Sequence, residues 1–400
     1  MIFKLALRNV LRNKRRSVLI VIGIGLGTII LLLFKGYMEY SYFGLRLGAI
    51  QQYGHFQIAP RAYWAPTDFK KKLISAETLN AVVGVLETIP EISTYTPSLS
   101  VGGIVGTPYA STPFVAAAIE PDKALGTPTI TSGTRLLKGD KDKVLLGKTL
   151  ARLINVGVGD YVTVLANTLD GAINAGSLQV VGLITTGRAE ADRRIAIVPI
   201  SFAQDMLSTE GVESLLVTLK HTEKTAAVAQ RLQARFDEMG IKLQIKTWDE
   251  LATLYHQVRN LYDAIFTFAL ISISLLAFIS ILEIMTMSFF ERLREIGTMM
   301  AIGTKRNQIF RLILTEGVLL GLIGASMGLV GGQVAAEVIN TAHITYTPPG
   351  GSSPVPLGIN LSLEHTVVPL VIVFGAALLS SVFPSLRAAK LNIVEVMYRV

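Results

Sequence analysis

Two short strings in this 400-residue sequence contain residue types that are used in nucleotide binding or catalysis. Gly147-Lys148-Thr149 has the last three residues of a phosphate-binding loop, but that loop also needs a glycine at position 142, which is Asp142. Gly324-Ala325-Ser326-Met327-Gly328 has the spacing of a hydrolase nucleophile elbow, which requires a strand-to-helix turn with histidine and aspartate nearby. This second string lies instead in an apolar segment. We therefore expect neither nucleotide binding nor hydrolysis by this chain.

No other arrangement in the sequence is suited to catalysis or metal binding. The chain has no cysteine, which excludes a disulfide scaffold, a thiolate zinc site and a cysteine nucleophile. Its five histidines are far apart and have no metal-ligand spacing. We expect no catalytic residue, no cofactor site and no metal site in this chain.

The composition indicates a membrane protein. Half of the residues are hydrophobic and only 16% are charged, against about 25% charged residues in an average soluble domain. A bilayer crossing needs about 20 apolar residues. Four segments approach or exceed this length: Val18–Phe34, Ala264–Ile281 with its continuation to Phe290, Leu312–Ala336 and Val367–Phe383.

The distribution of charge predicts the topology. Fourteen of the 37 Lys/Arg residues, but only three of the 29 acidic ones, lie in residues 1–17, 290–311 and 384–400. Short loops rich in Lys/Arg remain in the cytoplasm. We therefore expect both termini and the 290–311 loop inside, and residues 51–259 and 340–366 outside. The formal net charge of +8 then reflects topology, and we do not expect a nucleic-acid partner.

The first apolar segment is interpreted as an uncleaved anchor. Its basic start and apolar core would also suit a signal peptide, but Lys35-Gly36-Tyr37-Met38 offers no small-x-small cleavage site.

Alternation and helical periodicity predict an α+β domain outside the membrane. Strands are expected near Gly54–Ala59 and Ser214–Leu219, and a helix near Glu223–Met239. From Trp248 to Arg294 there is neither proline nor glycine for 47 residues, so the second span is expected to continue outward as a helical stalk. The predicted organisation begins with a basic amphipathic helix at 1–16 and span 1 with its stalk at 17–50. A periplasmic α+β domain follows at 51–247, with an inserted β subdomain at about 121–210. Residues 248–400 form the second stalk and spans 2–4, which are expected at about 260–290, 309–337 and 366–384.

Two features inside the spans attract attention. Small residues that recur every four positions allow helix backbones to approach closely in lipid. Glu283 and Glu316 are acids inside apolar segments, where a charged side chain is energetically unfavourable. We expect structural pairing of these two acids with Arg294, Lys305 or Arg311; proton or substrate handling is the alternative. The glycines that we assign to helix packing are Gly317, Gly321, Gly324, Gly328 and Gly332, and the Gly23-x-x-x-Gly27 pair in the first span is interpreted in the same way.

The segment Glu291–Lys305 is the most informative part of the sequence. A charged turn follows the second span directly, then a short amphipathic stretch with Gly297 and Gly303, then basic residues before the third span. Its apolar residues need a cover, either lipid headgroups or a partner protein.

This segment resembles a known family. The string ERLREIGTMMAIGTKRNQIFRLILTEGVLLGLIGASMG is similar to the core of the FtsX-like permease domain of ABC transporters. The C-terminal FPSLRAAKLNIVEVMYRV resembles that family's ending, with Asn392 where proline is usual and Val396-Met397 for Ala-Leu. VLLGKTLARLINVGVGDYVTVL resembles the outer domain of the MacB and lipoprotein-releasing LolC/LolE branch.

The resemblance implies a fold and a set of partners. The fold class is an integral membrane α-helical protein with four transmembrane helices and a large α+β periplasmic domain between helices 1 and 2. The partners are two copies of a separate cytoplasmic ATPase, which binds ATP and Mg, a second permease copy or paralogue, and a periplasmic adaptor or carrier. A coupling helix at about 297–305 would dock in the ATPase. The residues that this assigns to ATPase coupling are Arg292, Arg294, Glu295, Ile296, Gly297, Met300, Ala301, Ile302, Gly303 and Lys305.

The implied activity is mechanotransmission: closure of the ATPases moves the stalks and rearranges the periplasmic domains. Lipoprotein or lipid extraction from the inner membrane fits this architecture. The segment Leu165–Gly176, which matches the carrier-recruiting hook of lipoprotein-releasing subunits, is short and has no apolar, proline-rich tip. Adaptor-linked efflux of small molecules or peptides, and non-transporting signalling to cell-wall enzymes, remain as alternatives.

Overall fold

The computed structural model describes residues 2–64, 73–121, 123 and 128–390, which group into two compact units. The first, which we call the membrane unit, contains residues 2–43, 257–344 and 356–390. The second, which we call the outer unit, contains residues 44–64, 73–121, 123, 128–256 and 345–355. The last residues of the C-terminal motif, Asn392 and Val396-Met397 among them, lie outside the described residues.

The described residues form twelve α-helices and twelve β-strands. The helices are α1 (Ile2–Arg12), α2 (Lys14–Tyr53), α3 (Ala76–Leu86), α4 (Lys148–Leu153), α5 (Ala189–Asp192), α6 (Ile200–Leu207), α7 (Thr225–Glu238), α8 (Trp248–Leu251), α9 (Thr253–Glu291), α10 (Leu293–Ala301), α11 (Arg306–Thr341) and α12 (Leu363–Ala389). The strands are β1 (Phe56–Pro60), β2 (Ile92–Gly106), β3 (Ser111–Ile119), β4 (Thr129–Gly133), β5 (Lys143–Gly147), β6 (Tyr161–Asn167), β7 (Ile173–Thr185), β8 (Ile195–Pro199), β9 (Ser214–Leu219), β10 (Leu243–Thr247), β11 (Thr345–Tyr346) and β12 (Val355–Pro356).

Four helices of the first unit, α2, α9, α11 and α12, are long and apolar enough to cross a membrane. This confirms the four predicted spans. Helix α11 is the most buried of the four within this unit and α9 the least. The glycine-rich sequence of α11 explains this burial, because side chains of neighbouring helices lie directly against its backbone.

The glycines of α11 contact two different helices. Gly317 and Gly321 face Ser381 and Ala377 of α12, whereas four others, Gly331 against Ile29 among them, face α2. A Cβ at Gly324 would lie 2.7 Å from Ile24 Cβ, too close for any side chain. Gly328 and Gly332 lie in the same way against Thr28 and Leu32 of α2. Gly23, by contrast, has no described atom within 4 Å of a Cβ position, and the close approaches on α2 are at Gly25, Gly27 and Gly36.

The outer unit contains a closed ring of six strands. Strand β6 pairs with both β2 and β7, which closes the order β2-β3-β8-β5-β7-β6. Alternating residues of these strands, such as Leu99, Phe114 and Leu178, form one apolar cluster together with α6. The ring needs a glycine at position 103, because a Cβ there would collide with the carbonyl oxygen of Leu165 on β6.

A second layer of the outer unit pairs strands β10, β1 and β9 with the first half of β2. Helices α3 and α7 cover this layer through residues such as Leu86, Leu232 and Phe236. Because the 15-residue β2 belongs to both layers, the ring begins well before residue 121. The predicted insertion at about 121–210 therefore differs from the structure: the ring shares β2 and β3 with the first half of the domain.

The predicted outward helix from Trp248 is interrupted in the structure. Helix α8 ends at Leu251, Ala252 leaves the helical region with ψ 60°, and α9 begins at Thr253. The cause is tertiary packing: Trp248 donates its amide to His55 O at 2.9 Å, and its ring meets that of Tyr255 edge-on at 5.4 Å. Burial of Ala252 itself, 4% exposed, fixes the bend. Helix α2, by contrast, continues without interruption to Tyr53.

Candidate functional site

The short helix between the second and third spans is α10, and its two faces differ sharply. Ile296, Gly297 and Met300 are buried in the membrane unit, whereas Arg294, Glu295 and Ala301 are exposed. The helix occupies Leu293–Ala301, four residues earlier at each end than the predicted 297–305.

Helix α10 ends where it does because of Gly303. This glycine has a φ of +99°, a conformation that side chains disfavour, and its amide donates to Met300 O at 3.1 Å. The turn leaves Ile302 81% exposed. Lys305 is exposed as well, and it is the N-cap residue of α11, with its amide donating to Gln308 Oε1 at 2.9 Å.

Glu316 is buried beneath α10 and is paired within the chain. Both of its carboxylate oxygens accept from Arg292 Nη1, at 3.1 and 2.9 Å, and Oε1 also accepts from Asn9 Nδ2 at 2.6 Å. The structure thus places Arg292, rather than Arg294, Lys305 or Arg311, beside this acid. The reason is local: Arg292 sits at the bend between α9 and α10, with φ −98° and ψ 15°, and is only 13% exposed in its side chain.

A second pair joins α1 to α10. Arg12 Nη2 donates to both oxygens of Glu295, at 2.6 and 2.8 Å, and Arg292 Nε lies 3.4 Å from the same carboxylate. Burial raises the pKa of Glu295, but the hydrogen bonds from Arg12 and Arg292 outweigh it and hold the pKa below its ordinary value. Arg16 forms an ion pair with Glu291 at the end of α9.

These contacts divide the residues that were assigned to ATPase coupling. Arg292, Ile296, Gly297 and Met300 are directed into the membrane unit and position the helix. The remaining residues form the exposed surface, which we call the α10 face: Arg294, Glu295, Ala301, Ile302, Gly303 and Lys305.

Glu283 differs from Glu316 in its surroundings. It is exposed on α9, and the structure gives it no ion-pair partner among the described residues. It lines a groove of about 640 Å³ with Ile279, Met287, Phe290 and Phe383.

The two strings that suggested chemistry have structural roles. Gly147 ends β5, and a Cβ there would collide with the carbonyl oxygen of Asp192, so the backbone packing requires glycine. The Gly324–Gly328 string lies within α11 rather than at a strand-to-helix turn. Across the described ranges, no group of three or more His, Asp or Glu side chains could hold a metal ion.

Two sets of interacting residues are evident only from the structure. Asn9 and Arg12 were treated only as parts of a basic helix; their separation by one helical turn, with Arg16 one turn further on, was the available signal. The second set surrounds Asp192, which is 1% exposed and accepts from Thr185 Oγ1 at 2.7 Å, Thr186 N at 2.7 Å and Ser352 Oγ at 2.6 Å. Asp192 and Ser352 are 160 positions apart, so no sequence pattern indicates this contact.

The chain matches two family descriptions that together cover most of its length. Residues 17–235 match the MacB-like periplasmic core domain, and residues 267–393 match the FtsX-like permease C-terminal domain. The first match alone spans more than half of the chain.

The sequence identity to individual relatives is low. The chain is 24% identical over 276 residues to the lipoprotein-releasing system transmembrane protein LolC of Xylella fastidiosa, covering 65% of this chain and 66% of LolC. It is 27% identical over 279 residues to an uncharacterized ABC transporter permease of Methanocaldococcus jannaschii, covering 67% of this chain and 65% of the relative. The match thus spans about two thirds of the length of these curated relatives.

Among solved structures, the periplasmic region of MacB from Actinobacillus actinomycetemcomitans is similar with a TM-score of 0.39 and 16% identity, over 53% of this chain and 96% of that one. The MacB-like match and the four apolar helices indicate an inner-membrane protein with a periplasmic domain between its first two spans. The chain belongs to the family of ABC transporter permeases that combine a MacB-like periplasmic core domain with an FtsX-like permease domain.

Proposed function

We propose that this chain is the permease subunit of an ABC transporter whose ATP hydrolysis is performed by a separate cytoplasmic ATPase, two copies of which serve two permease copies or paralogues. In this proposal both termini are cytoplasmic, the ATPase binds ATP and Mg, and the permease itself has no catalytic site. The observation that carries the proposal is the α10 face, which holds an 81% exposed isoleucine between two spans. Burial of this apolar side chain against a partner protein would be favourable, and the charged groups around it would contribute to the specificity of that contact.

The contacts behind the α10 face support a role in force transmission. Arg292 connects the end of α9 to α11 through Glu316, and Arg12 connects α1 to α10 through Glu295. A buried, hydrogen-bonded pair holds its helices in one geometry and is costly to break. Movement of a bound ATPase would therefore be transmitted to α9 and α11 rather than absorbed by a flexible loop.

For the cargo, we propose lipoprotein or lipid extracted from the inner membrane. The support is the relative named as a lipoprotein-releasing protein, at 24% identity. The carrier-recruiting hook has only a short counterpart: β6 and β7 form a hairpin whose turn is closed by Thr168 N donating to Ala172 O at 2.7 Å. A carrier would thus need another surface of this domain.

Efflux is the second candidate. The pyoverdine export ATP-binding/permease protein PvdT of Pseudomonas syringae is 28% identical to this chain over 181 residues, covering 43% of this chain and 28% of PvdT. Native-membrane copurification followed by mass spectrometry distinguishes the candidates, since bound acylated proteins favour extraction and a periplasmic adaptor with a small-molecule cargo favours efflux. A bound cell-wall hydrolase without cargo would favour signalling.

The ATPase interaction is tested by substitution at Ile302. We expect Ile302→Asp to abolish capture of the ATPase by the detergent-solubilised permease, because the variant replaces the large apolar side chain of the α10 face with a charge. Leu137→Asp is the matched control, since Leu137 is a 64% exposed leucine of the outer domain. Equal capture by the wild type and Ile302→Asp would contradict the proposal.

A further inference from the structure

Helix α1 presents three different surfaces along its length. Ala6, Asn9 and Val10, which are 0%, 9% and 7% exposed, face the membrane unit. Ala6 belongs to an apolar cluster with Leu312 and Leu319 of α11. These contacts fix the rotation of α1 about its own axis, and so decide which residues face outward.

The first outward surface is apolar. Phe3, Leu7 and Leu11 are spaced four residues apart and are 60%, 37% and 60% exposed. Residues at i, i+4 and i+8 lie on one face of a helix, so the three side chains form a continuous apolar row.

The second outward surface is cationic and lies next to the apolar row. Lys4, Arg8 and Arg12 have the same four-residue spacing, shifted by one position, which is about 100° around the helix. Residues 1–17 contain no acidic residue. Arg12 is used by Glu295, whereas the structure gives Lys4 and Arg8 no carboxylate partner among the described residues.

The position of α1 indicates what covers these surfaces. One residue separates α1 from α2, a helix long and apolar enough to span the membrane, and α2 begins with three further cations at Lys14, Arg15 and Arg16. A helix that joins a span at its basic end and has an apolar row beside a cationic row is suited to the bilayer interface, with the apolar row in the acyl region and the cations at lipid phosphates.

We propose that α1 is a docking surface for an anionic phospholipid leaflet, and that lipid held there stabilises the α10 arrangement through Arg12 and Asn9. The second half rests on the proposed function. Lipid phosphates at Lys4 and Arg8 hold α1 in place; α1 in turn holds Glu295 of α10 through Arg12 and Glu316 of α11 through Asn9. The ATPase would then bind more tightly to the permease in an anionic bilayer.

The absence of cysteine makes the first half directly testable, because an introduced cysteine is the sole labelling site. The full chain with Phe3→Cys carries an environment-sensitive fluorophore and is placed in nanodiscs of phosphatidylcholine, with or without phosphatidylglycerol. We expect a blue shift with phosphatidylglycerol that decreases with salt. Lys4→Gln/Arg8→Gln should weaken this lipid dependence, by about fivefold per cation removed. The matched label at Leu137→Cys in the outer domain should show no change.

Two results would overturn the lipid surface. One is emission that is the same with and without phosphatidylglycerol; the other is a Phe3→Cys label that becomes shielded only after the ATPase is added, which would mean that a protein covers α1. The proposed effect of the lipid on ATPase binding is tested by measuring the affinity of the ATPase for the permease in the same nanodiscs. Equal affinity in both lipids would reject the regulation while the label result stands. No ATPase binding in either lipid would reject the proposed function, and the regulation that rests on it, and would leave the lipid surface intact.

Discussion

Removal of the buried carboxylate of Glu316 should lower the free energy of unfolding far more than removal of an exposed carboxylate. In Glu316→Leu the guanidinium of Arg292, 13% exposed, keeps only a 3.4 Å contact with Glu295, and Asn9 loses its acceptor. Breaking a buried pair from one side costs about 3–5 kcal/mol, and we expect the lower end because Glu295 remains nearby. The free energy of unfolding, measured by SDS titration of the full chain in mixed micelles, gives this number.

The double variant Arg292→Met/Glu316→Leu sharpens the test. It removes both charges and replaces them with apolar groups, so we expect it to recover most of the loss, since such replacements are often close to neutral. The control is Glu291→Gln, which removes an acid whose side chain is 48% exposed from its pair with Arg16 and should cost less than about 1 kcal/mol. The single variant Arg292→Met completes the cycle. If the double variant loses the sum of the losses of Glu316→Leu and Arg292→Met to within about 0.5 kcal/mol, the two side chains do not act as a pair and the reasoning fails.

Three further predictions concern other parts of the chain. Gly328→Leu should destabilise the membrane unit by at least about 1–3 kcal/mol, because α11 and α2 must separate at Thr28. Gly375→Ala, with no described atom within 4 Å of the new methyl group, should not lower the midpoint of the same SDS titration, since alanine is also the better helix former. Gly303→Val should strain the backbone by about 1–3 kcal/mol and lower ATPase capture without reducing the amount of chain in the membrane fraction; capture equal to wild type would show that the turn after α10 is not needed. Burial raises the pKa of Asp192, but four hydrogen bonds outweigh it and hold the pKa below its ordinary value. The stability that this carboxylate adds is therefore complete above the ordinary pKa of an aspartate and is lost as the pH falls through the lowered pKa. Thermal unfolding of the outer domain between pH 5 and 2 should show that fall, and Asp192→Asn should flatten it.

The local pattern of hydrophobic residues was sufficient to predict the bounds of some strands and helices. Strand β9 was predicted with the bounds that the structure has, Ser214–Leu219, and α7 to within about two residues, because both have a clean period in hydrophobicity. Strand β5, Lys143–Gly147, was missed: it is buried between β7 and β8, and a short continuous apolar run has no period that distinguishes strand from helix.

Long-range contacts account for the remaining differences. The break at Ala252 is imposed by the burial of Trp248 and Tyr255, which no local rule predicts in a segment without glycine or proline. The partner of Glu316 depends on the bend at Arg292, so the right kind of interaction was expected with the wrong cation. The residues of the α10 face could be proposed only from a family resemblance, and their division into buried and exposed members required the structure.

Docking of a separate ATPase on the α10 face can be detected by site-specific photo-crosslinking in native membranes. A photo-reactive amino acid at position 302, and in parallel at positions 296 and 137, is irradiated in cells that contain the ATPase. We expect a permease–ATPase crosslink from position 302 and none from position 137. Position 296, where Ile296 is 3% exposed, should crosslink within the chain. Absence of the ATPase from the position 302 products, or its appearance at position 137, would show that the ATPase does not dock on the α10 face.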